Sequence, residues 1–121
     1  MSLSQIPAVK QYDIFWAEIP AHEAYITCGK RPAVIVSNNE NNAHSNAVTI
    51  LPITSNLNKK PMPTHVFIKD QGLNLPGIVI GEQIITLDKS HLLDQIGAVT
   101  KEWDKLCIQH ALKVQLGMVE P

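Results

Sequence analysis

Two short apolar runs, at residues 33–37 and 47–53, constrain the fold of this chain more than any other feature. Valine and isoleucine recur in both runs, and these β-branched residues favour strands. The nine residues between them, 38–46, include five asparagines, which suit tight turns because asparagine tolerates left-handed backbone angles. The pattern predicts two neighbouring strands joined by a turn, with the first strand covered on both faces.

Other segments extend this pair into a larger sheet. An alternating segment predicts a first strand that ends at Pro20, and short apolar stretches predict the rest. Because Pro52 cannot donate a backbone hydrogen bond, it predicts a bulge or a sheet edge in the run 47–53. The further predicted strands are residues 12–19, 64–68, 77–81, 83–87 and 96–99, where 77–81 and 83–87 could also be one strand bent near Gly81.

The C-terminal part predicts one amphipathic helix. Thr100 is the expected N-cap, and Glu102 and Asp104 fall in the first turn, where a carboxylate favours the helix dipole. Helical spacing predicts one core-facing stripe and a second apolar set that contacts the barrel or a dimer partner. The stripe is Trp103, Leu106, Cys107, His110, Ala111 and Val114, and the second set is Ile108, Leu112 and Leu116.

The predicted fold class is mainly β (α+β), a small, partly open β-barrel of five to seven short strands with a C-terminal helix closing one side. A leader at residues 1–11 would precede a single domain at 12–121. A length of 121 residues is near the commonest domain size and allows a real core.

Composition excludes several classes of protein. The chain is 45% hydrophobic and 17% charged with a net charge of −1, which is ordinary for a globular protein and unlike a domain that coats nucleic acid by bulk charge. Cys28 and Cys107 lie far apart and are expected to be reduced thiols. We find neither a membrane-length apolar run nor the pattern of a signal peptide at the start, so a cytoplasmic location is expected. With no zinc spacing and no acidic cluster for magnesium, any catalysis is expected to use neither metal nor cofactor.

Arg31, the only arginine of the chain, stands just before the first apolar run, and Thr54 follows the second. Metal-free RNA cleavage needs a base for the ribose 2′-OH, an acid for the leaving 5′-oxygen, and donors that stabilise the phosphorane. Arginine suits the last role because its planar fork can bind two phosphate oxygens, and a threonine hydroxyl can donate to a third. Either His22 or Glu23 could act as the base. Each residue also has an ordinary explanation, as a surface ion-pair residue, a turn residue or a solvated charge.

Taken together and in order, these residues resemble the MazF/PemK (Kid) toxins of bacterial type II toxin–antitoxin systems. The likeness extends over roughly residues 12–117. Its segments are 13–19 (Asp-Ile-Phe-Trp-Ala-Glu-Ile), 30–38 (Lys-Arg-Pro-Ala-Val-Ile-Val-Ser-Asn), 48–55 (Val-Thr-Ile-Leu-Pro-Ile-Thr-Ser), 63–66 (Pro-Thr-His-Val), 81–89 (Gly-Glu-Gln-Ile-Ile-Thr-Leu-Asp-Lys) and 96–97 (Ile-Gly).

The resemblance implies an SH3-like barrel, a homodimer, and a metal-independent, sequence-selective endoribonuclease that cleaves single-stranded mRNA and leaves a 2′,3′-cyclic phosphate and a 5′-hydroxyl. It also implies a cognate MazE/PemI-like antitoxin whose disordered tail occupies the RNA groove. The implied catalytic residues are Arg31, Thr54, His22 and Glu23. The expected RNA-binding residues are Lys30, Ser37, Asn38, Ser55, Asn56, Lys59, Lys60, Glu82 and Gln83.

Two departures from the family keep alternatives open. Ile80 and Ile85 stand where members often place arginines, so two cations that could touch RNA are missing. One alternative is an inactive RNA-binding relative. The other is a gyrase-targeting toxin of the CcdB type on the same barrel, since a fold does not determine a function. The pair of Arg31 and Thr54 separates the endoribonuclease from the gyrase-targeting toxin, because a gyrase-binding toxin does not need it.

Overall fold

A computed structural model describes residues 8–21 and 27–121. Over these residues the chain forms seven strands, two α-helices and one 3-10 turn at Lys89–His91. The strands are β1 (Asp13–Ile19), β2 (Gly29–Ile35), β3 (Ala47–Thr54), β4 (His65–Ile68), β5 (Gly77–Ile80), β6 (Ile85–Asp88) and β7 (Leu92–Ala98), and the helices are α1 (Asn39–His44) and α2 (Glu102–Gln115).

All strand pairs are antiparallel, and the strand order is β4-β5-β3-β2-β1-β7, with β6 also paired to β3. The first half of β3 pairs with β6 and its last two residues pair with β5. The sheet is not closed, since no pairing of the described residues joins β4 to β7. The prediction of a mainly β fold with a partly open barrel and a C-terminal helix is confirmed. None of the described helices has the length and apolar character that crossing a membrane requires.

Pro52 lies in a central strand, so of the two predicted alternatives, a bulge or a sheet edge, the edge is wrong. Pro52 pairs with Ala33 of β2 on one side. On the other side the partners of β3 end at Ile50, which pairs with β6, and resume at Ile53, which pairs with β5. The missing N–H of Pro52 therefore falls at an interruption of the ladder, where a strand interior tolerates proline.

Alternate residues of the same strands feed two hydrophobic clusters on opposite faces of the sheet, as the period of two in a strand requires. Phe15, Ala33 and Ile50 belong to the first cluster. The second contains Ile14 and Val34 together with α2. The apolar run of β2 is thus covered on both faces, as predicted. Val9, in the predicted leader, is also buried in the first cluster.

The core-facing stripe predicted for α2 is confirmed only in part. Ala111 is buried and Cys107 packs against the second cluster, as predicted. Trp103 and Leu106 are 74% and 55% exposed, whereas Ile108, from the second apolar set, is fully buried. The N-cap is Lys101 rather than Thr100, and its side chain makes no capping bond. The helix has apolar residues on most of its circumference, so periodicity alone could not determine which side meets β4 and the rest of the sheet.

The asparagine-rich segment is also more ordered than a turn. Asn38 caps α1 by accepting a hydrogen bond from the Asn41 N–H. The buried Asn42 amide bonds Ser37, which keeps the polar group satisfied. Strand β2 starts at Gly29, so Arg31 lies within the strand and not before it.

Candidate active site

Arg31 lies near the start of β2, opposite Ala17 of β1. Its Nε donates a 2.7 Å hydrogen bond to the Cys28 carbonyl oxygen. Gly29 between them has a φ of +86°, a conformation that glycine adopts without steric cost. The positive φ of Gly29 lets the Cys28 carbonyl oxygen reach Nε, and this hydrogen bond orients the guanidinium at the start of β2. No carboxylate of the described residues forms an ion pair with Arg31.

Thr54 ends β3 on the strand next to Arg31. The β2–β3 pairing ends at Ala33 and Pro52, and two residues further along each strand come Arg31 and Thr54. Because side chains alternate along a strand, both leave the same face of the sheet as Ala33 and Pro52. Thr54 is 6% exposed, and its hydroxyl oxygen accepts a 3.2 Å hydrogen bond from the Asn56 N–H. The hydroxyl hydrogen finds no acceptor among the described residues, so it can be donated to a ligand.

The connection between β1 and β2 is held at its end by two of the predicted site residues. Gln83, in the turn between β5 and β6, accepts a 2.8 Å hydrogen bond from the Thr27 N–H. Arg31 bonds the next residue, Cys28. The structure therefore brings Arg31 and Gln83 to the same segment. His22 and Glu23, the predicted bases, belong to this connection but lie outside the described residues, and their role stays a prediction.

A cleft of about 330 Å³, here called the Trp16 cleft, opens at the same end of the sheet. Arg31 contributes to it, and the alternating neighbours Lys30, Pro32, Ile53 and Ser55 face it from the opposite side of the strands. The Lys30 ammonium lies 5.6 Å from the centre of the half-buried Trp16 ring, a cation–π distance. The other wall is the segment 72–77. Sequence reasoning missed Trp16 and this wall, because no local motif links residues so far apart in the chain.

Three further predicted residues follow Thr54 in the connection between β3 and β4. Asn56 is exposed, and its side-chain oxygen accepts a hydrogen bond from the Asn58 N–H. Lys59 is half-buried and Lys60 is exposed, so the ammonium groups can meet a passing phosphate backbone.

Ser37 and Asn38 are not brought to Arg31. They follow the far end of β2, where Ser37 Oγ donates to Asn42 Oδ1 and accepts from the Thr49 N–H. Asn38 is occupied in capping α1. Both side chains stabilise the β2–β3 connection.

Glu82 is already engaged within the protein. Its carboxylate accepts a 2.8 Å hydrogen bond from the Thr64 hydroxyl and lies 3.0 Å from His65 Nε2. Burial raises the pKa of the Glu82 carboxyl, but this is outweighed by the hydrogen bonds from Thr64, from the Glu82 backbone N–H and from His65, together with the electrostatic attraction of His65, so the pKa is lowered. The Nδ1 atom of His65 is buried with no partner among the described residues. The proposed contact of Glu82 with RNA stays a prediction.

The family model of PemK-like, MazF-like toxins of type II toxin–antitoxin systems matches residues 10–114. The chain belongs to this family. The resemblance inferred from the segments around Arg31 and Thr54 is thereby confirmed. The family's fold is also the fold described above.

Individual relatives agree over nearly the whole chain. The chain is 31% identical over 112 residues to the endoribonuclease MazF of Staphylococcus epidermidis, covering 91% of this chain and 92% of the relative. It resembles an endoribonuclease from a mycobacterial species with 27% identity and a TM-score of 0.76, covering 97% and 99% of the two chains. A mycobacterial endoribonuclease solved in complex with its cognate antitoxin is 30% identical, with a TM-score of 0.70 and coverage of 94% and 98%. MazF from Deinococcus radiodurans, 21% identical with a TM-score of 0.79 and coverage of 93% and 99%, shares the fold.

Proposed function

We propose that this chain is the toxin of a type II toxin–antitoxin system and a metal-independent, sequence-selective endoribonuclease that acts on single-stranded mRNA. One observation carries the proposal: an arginine without an ion-pair partner among the described residues and a threonine hydroxyl leave the same face of adjacent strands. Membership of the toxin family supports it, as do relatives named endoribonucleases.

In the proposed mechanism His22 or Glu23 takes the proton of the ribose 2′-OH, and the 2′-oxygen attacks the adjacent phosphorus. The Arg31 guanidinium binds the non-bridging oxygens as negative charge develops on the phosphorane, and the Thr54 hydroxyl donates to one of them. An acid, Arg31 or the conjugate acid of the base, protonates the 5′-oxygen as its bond to phosphorus breaks. The products are a 2′,3′-cyclic phosphate and a 5′-hydroxyl.

Arg31 also borders the Trp16 cleft, which is lined by the opposite faces of β2 and β3, so this cleft can receive a nucleobase next to the scissile phosphate. Aromatic rings bind unpaired bases by stacking, and a nearby cation adds attraction to the RNA backbone. Trp16 supplies the ring and Lys30 the cation. Ser55, on the rim, can bond a base edge or a sugar hydroxyl.

The direct test is incubation of the purified protein with a long single-stranded RNA in the presence of EDTA. Discrete fragments with cyclic phosphate and 5′-hydroxyl ends are expected. Tight RNA binding without products would favour the inactive relative, and gyrase stalling without RNA cleavage would favour the gyrase-binding toxin.

Thr54→Val is expected to slow cleavage by about tenfold, since one neutral hydrogen bond to a charged oxygen is worth roughly 1.5 kcal/mol. Valine keeps the shape and the burial of the side chain, so the loss reports the hydroxyl. Thr49→Val, a substitution in the same strand away from Arg31, is the control. Equal rates for Thr54→Val and the parent would remove Thr54 from the mechanism.

A homodimer is proposed through the surface formed by β4 and α2. Phe67, Trp103 and Leu106 are all more than half exposed there, and β4 is an edge strand. Exposed apolar groups at an unpaired edge are typical of a protein–protein interface.

Leu106→Lys is expected to weaken the dimer at least about tenfold, because it buries a charge in an apolar interface. Sedimentation at micromolar concentration would show the parent as a dimer and the variant as mostly monomer. Leu93→Lys, at an exposed leucine of β7, should sediment like the parent. A monomeric parent would contradict the proposal.

A cognate antitoxin is the proposed protein partner, with a disordered tail that competes with RNA for the site around Arg31 and the Trp16 cleft. The mycobacterial relative solved with its cognate antitoxin supports this assignment. The cytoplasm is the proposed location, since mRNA would be the substrate.

A further inference from the structure

The turn that follows β4 has an unusual backbone. Asp70, Gln71 and Gly72 are consecutive residues with φ values of 61°, 59° and 102°. Only the last of them is a glycine, and a bulky residue such as glutamine pays a steric cost in the left-handed region. Such a conformation persists only when surrounding contacts hold it. The contacts that hold Gln71 are therefore informative.

The Gln71 side chain joins the turn to the start of α2. Its Oε1 accepts hydrogen bonds from the N–H groups of Thr100, at 2.8 Å, and Lys101, at 3.2 Å. Its Nε2 donates to Asp104 Oδ2 at 2.9 Å and to the Lys69 carbonyl at 3.0 Å. Both oxygen lone pairs and both N–H donors of this amide are in use.

The backbone of the turn also lies directly against β7. A Cβ added to Gly72 would lie 2.0 Å from the Ile96 carbonyl oxygen, and one added to Gly97 would lie 2.0 Å from the Gln71 carbonyl oxygen. That carbonyl accepts a hydrogen bond from the Ala98 N–H. Two glycines thus permit a backbone contact that no other residue would allow. These contacts are together called the Gln71 clamp. The clamp consists of the side-chain and backbone hydrogen bonds of Gln71 and the close contact of Gly72 with Gly97.

The segment that leaves the clamp is the outer wall of the Trp16 cleft. The Leu73 N–H donates to the Asp70 carbonyl, which continues the turn, and residues 72–77 line the cleft before β5 begins. Leu75 on this wall is 64% exposed. The clamp and β5 hold the two ends of the wall, and Leu73 packs against the second hydrophobic cluster, which leaves residues 74–76 as its exposed part. Because the clamp fixes the end of the wall at Gly72, it contributes to the distance between this exposed part and Trp16.

We propose that Gln71 is a positioning residue that determines which nucleobase the Trp16 cleft accepts beside the scissile phosphate. The inference rests on the proposed ribonuclease function. Gln71 does not touch RNA itself. It acts through the wall, since a cleft of about 330 Å³ has the size of a small ligand site, where a shift of the wall changes which base fits.

A purely structural role for Gln71 makes a different prediction. If the amide only compensates for the missing side-chain cap of α2, its loss lowers stability and slows the cleavage of every sequence equally. A positioning role changes the relative rates of substrates that differ in one base. The order of base preference therefore separates the two roles.

The first experiment compares Gln71→Ala with the parent on short RNAs that differ only in the base on either side of the cleaved bond. We expect the ratio of kcat/KM between the best and the worst base to change at least about fivefold. Gln109→Ala is the matched control, because it removes a glutamine of α2 that bonds Tyr12 outside the cleft. A uniform loss over all bases, or an unchanged order and ratio, would overturn the proposal.

A second measurement does not depend on cleavage. The chain has two tryptophans, so a Trp103→Phe background leaves Trp16 as the only indole. Gln71→Ala in this background is expected to raise the acrylamide quenching constant about twofold, while Gln109→Ala leaves it unchanged. Unchanged quenching would overturn the positioning role. If the parent cuts no RNA, the ribonuclease proposal and its base preference fail, whereas quenching still decides whether Gln71 holds the wall.

Gln71→Glu covers the case in which the alanine variant does not fold. Glutamate keeps the acceptor oxygen for the N–H groups of Thr100 and Lys101 but places a second carboxylate against Asp104. The same change of base preference is expected, and it should diminish as the pH is lowered. A parent-like preference at all pH values would contradict the proposal.

Discussion

Arg31→Ala is expected to slow RNA cleavage by at least ~100-fold, which corresponds to ~2.7 kcal/mol of transition-state stabilisation lost with one preorganised donor. Arg31 is oriented by its bond to the Cys28 carbonyl, so it need not reorganise as charge develops on the phosphorane. It is also the only arginine of the chain, so no second guanidinium can replace it. Single-turnover cleavage of one RNA oligonucleotide in EDTA measures the effect.

Two further variants separate charge from geometry. Arg31→Lys keeps the positive charge but not the planar fork, so it should recover only part of the rate. Lys60→Ala removes an exposed cation of the β3–β4 connection and should weaken RNA binding with little change in the rate at saturation. Equal cleavage by Arg31→Ala and the parent would refute the proposed mechanism.

Glu82→Ala is expected to lower the free energy of unfolding at pH 7 by roughly 2–4 kcal/mol. The Thr64 hydroxyl and the His65 ring are both buried, and each would lose its partner. Because Nδ1 of His65 already lacks a partner among the described residues, the ring has no alternative bond within the described network. Urea denaturation followed by circular dichroism measures the change.

The same carboxylate predicts a pH dependence. Folding lowers the pKa of Glu82 below its ordinary value of 4.5, so the ionised group stabilises the fold above that value. This contribution is lost as the pH falls through the folded-state pKa. The stability difference between the parent and Glu82→Gln should therefore narrow as the pH falls below 4.5 and through the folded-state pKa. Glu102→Gln, at an exposed glutamate of α2, is the control and should unfold like the parent. If the stability difference between the parent and Glu82→Gln did not change with pH, Glu82 would not be the ionised partner of Thr64 and His65.

Local patterns predicted the elements of the fold well. The strands predicted at 33–37 and 47–53 overlap β2 and β3, because their β-branched residues fit the pleated surface of a buried sheet. The C-terminal helix was also predictable from its spacing. The side of α2 that is buried was not, since Leu106 and Ile108 are equally apolar and only contact with the sheet distinguishes them.

The candidate site likewise has features that the sequence predicted and features that it did not. Arg31 and Thr54 were conspicuous in the sequence, but neither their common face nor their adjacency follows from local propensity. Ser37 and Asn38 looked similar in type to Ser55 and Asn56, yet they lie at the far end of β2, where they stabilise a helix cap and a strand connection. The side-chain type of a residue limits the hydrogen bonds it can make, and its position in the sheet decides which groups it meets.

By itself, the sequence determined that this protein has a β-rich fold of the MazF/PemK family, and it singled out Arg31, the only arginine, as the candidate for phosphate chemistry. These properties depend on residue type, short-range periodicity and motif order. Only the tertiary structure decided that Arg31 and Thr54 share a face, that Glu82 bonds Thr64 and His65, and that Gln71 clamps the wall of the Trp16 cleft. Each of these depends on strand register or on contacts between distant segments, which long-range packing establishes and no local propensity encodes.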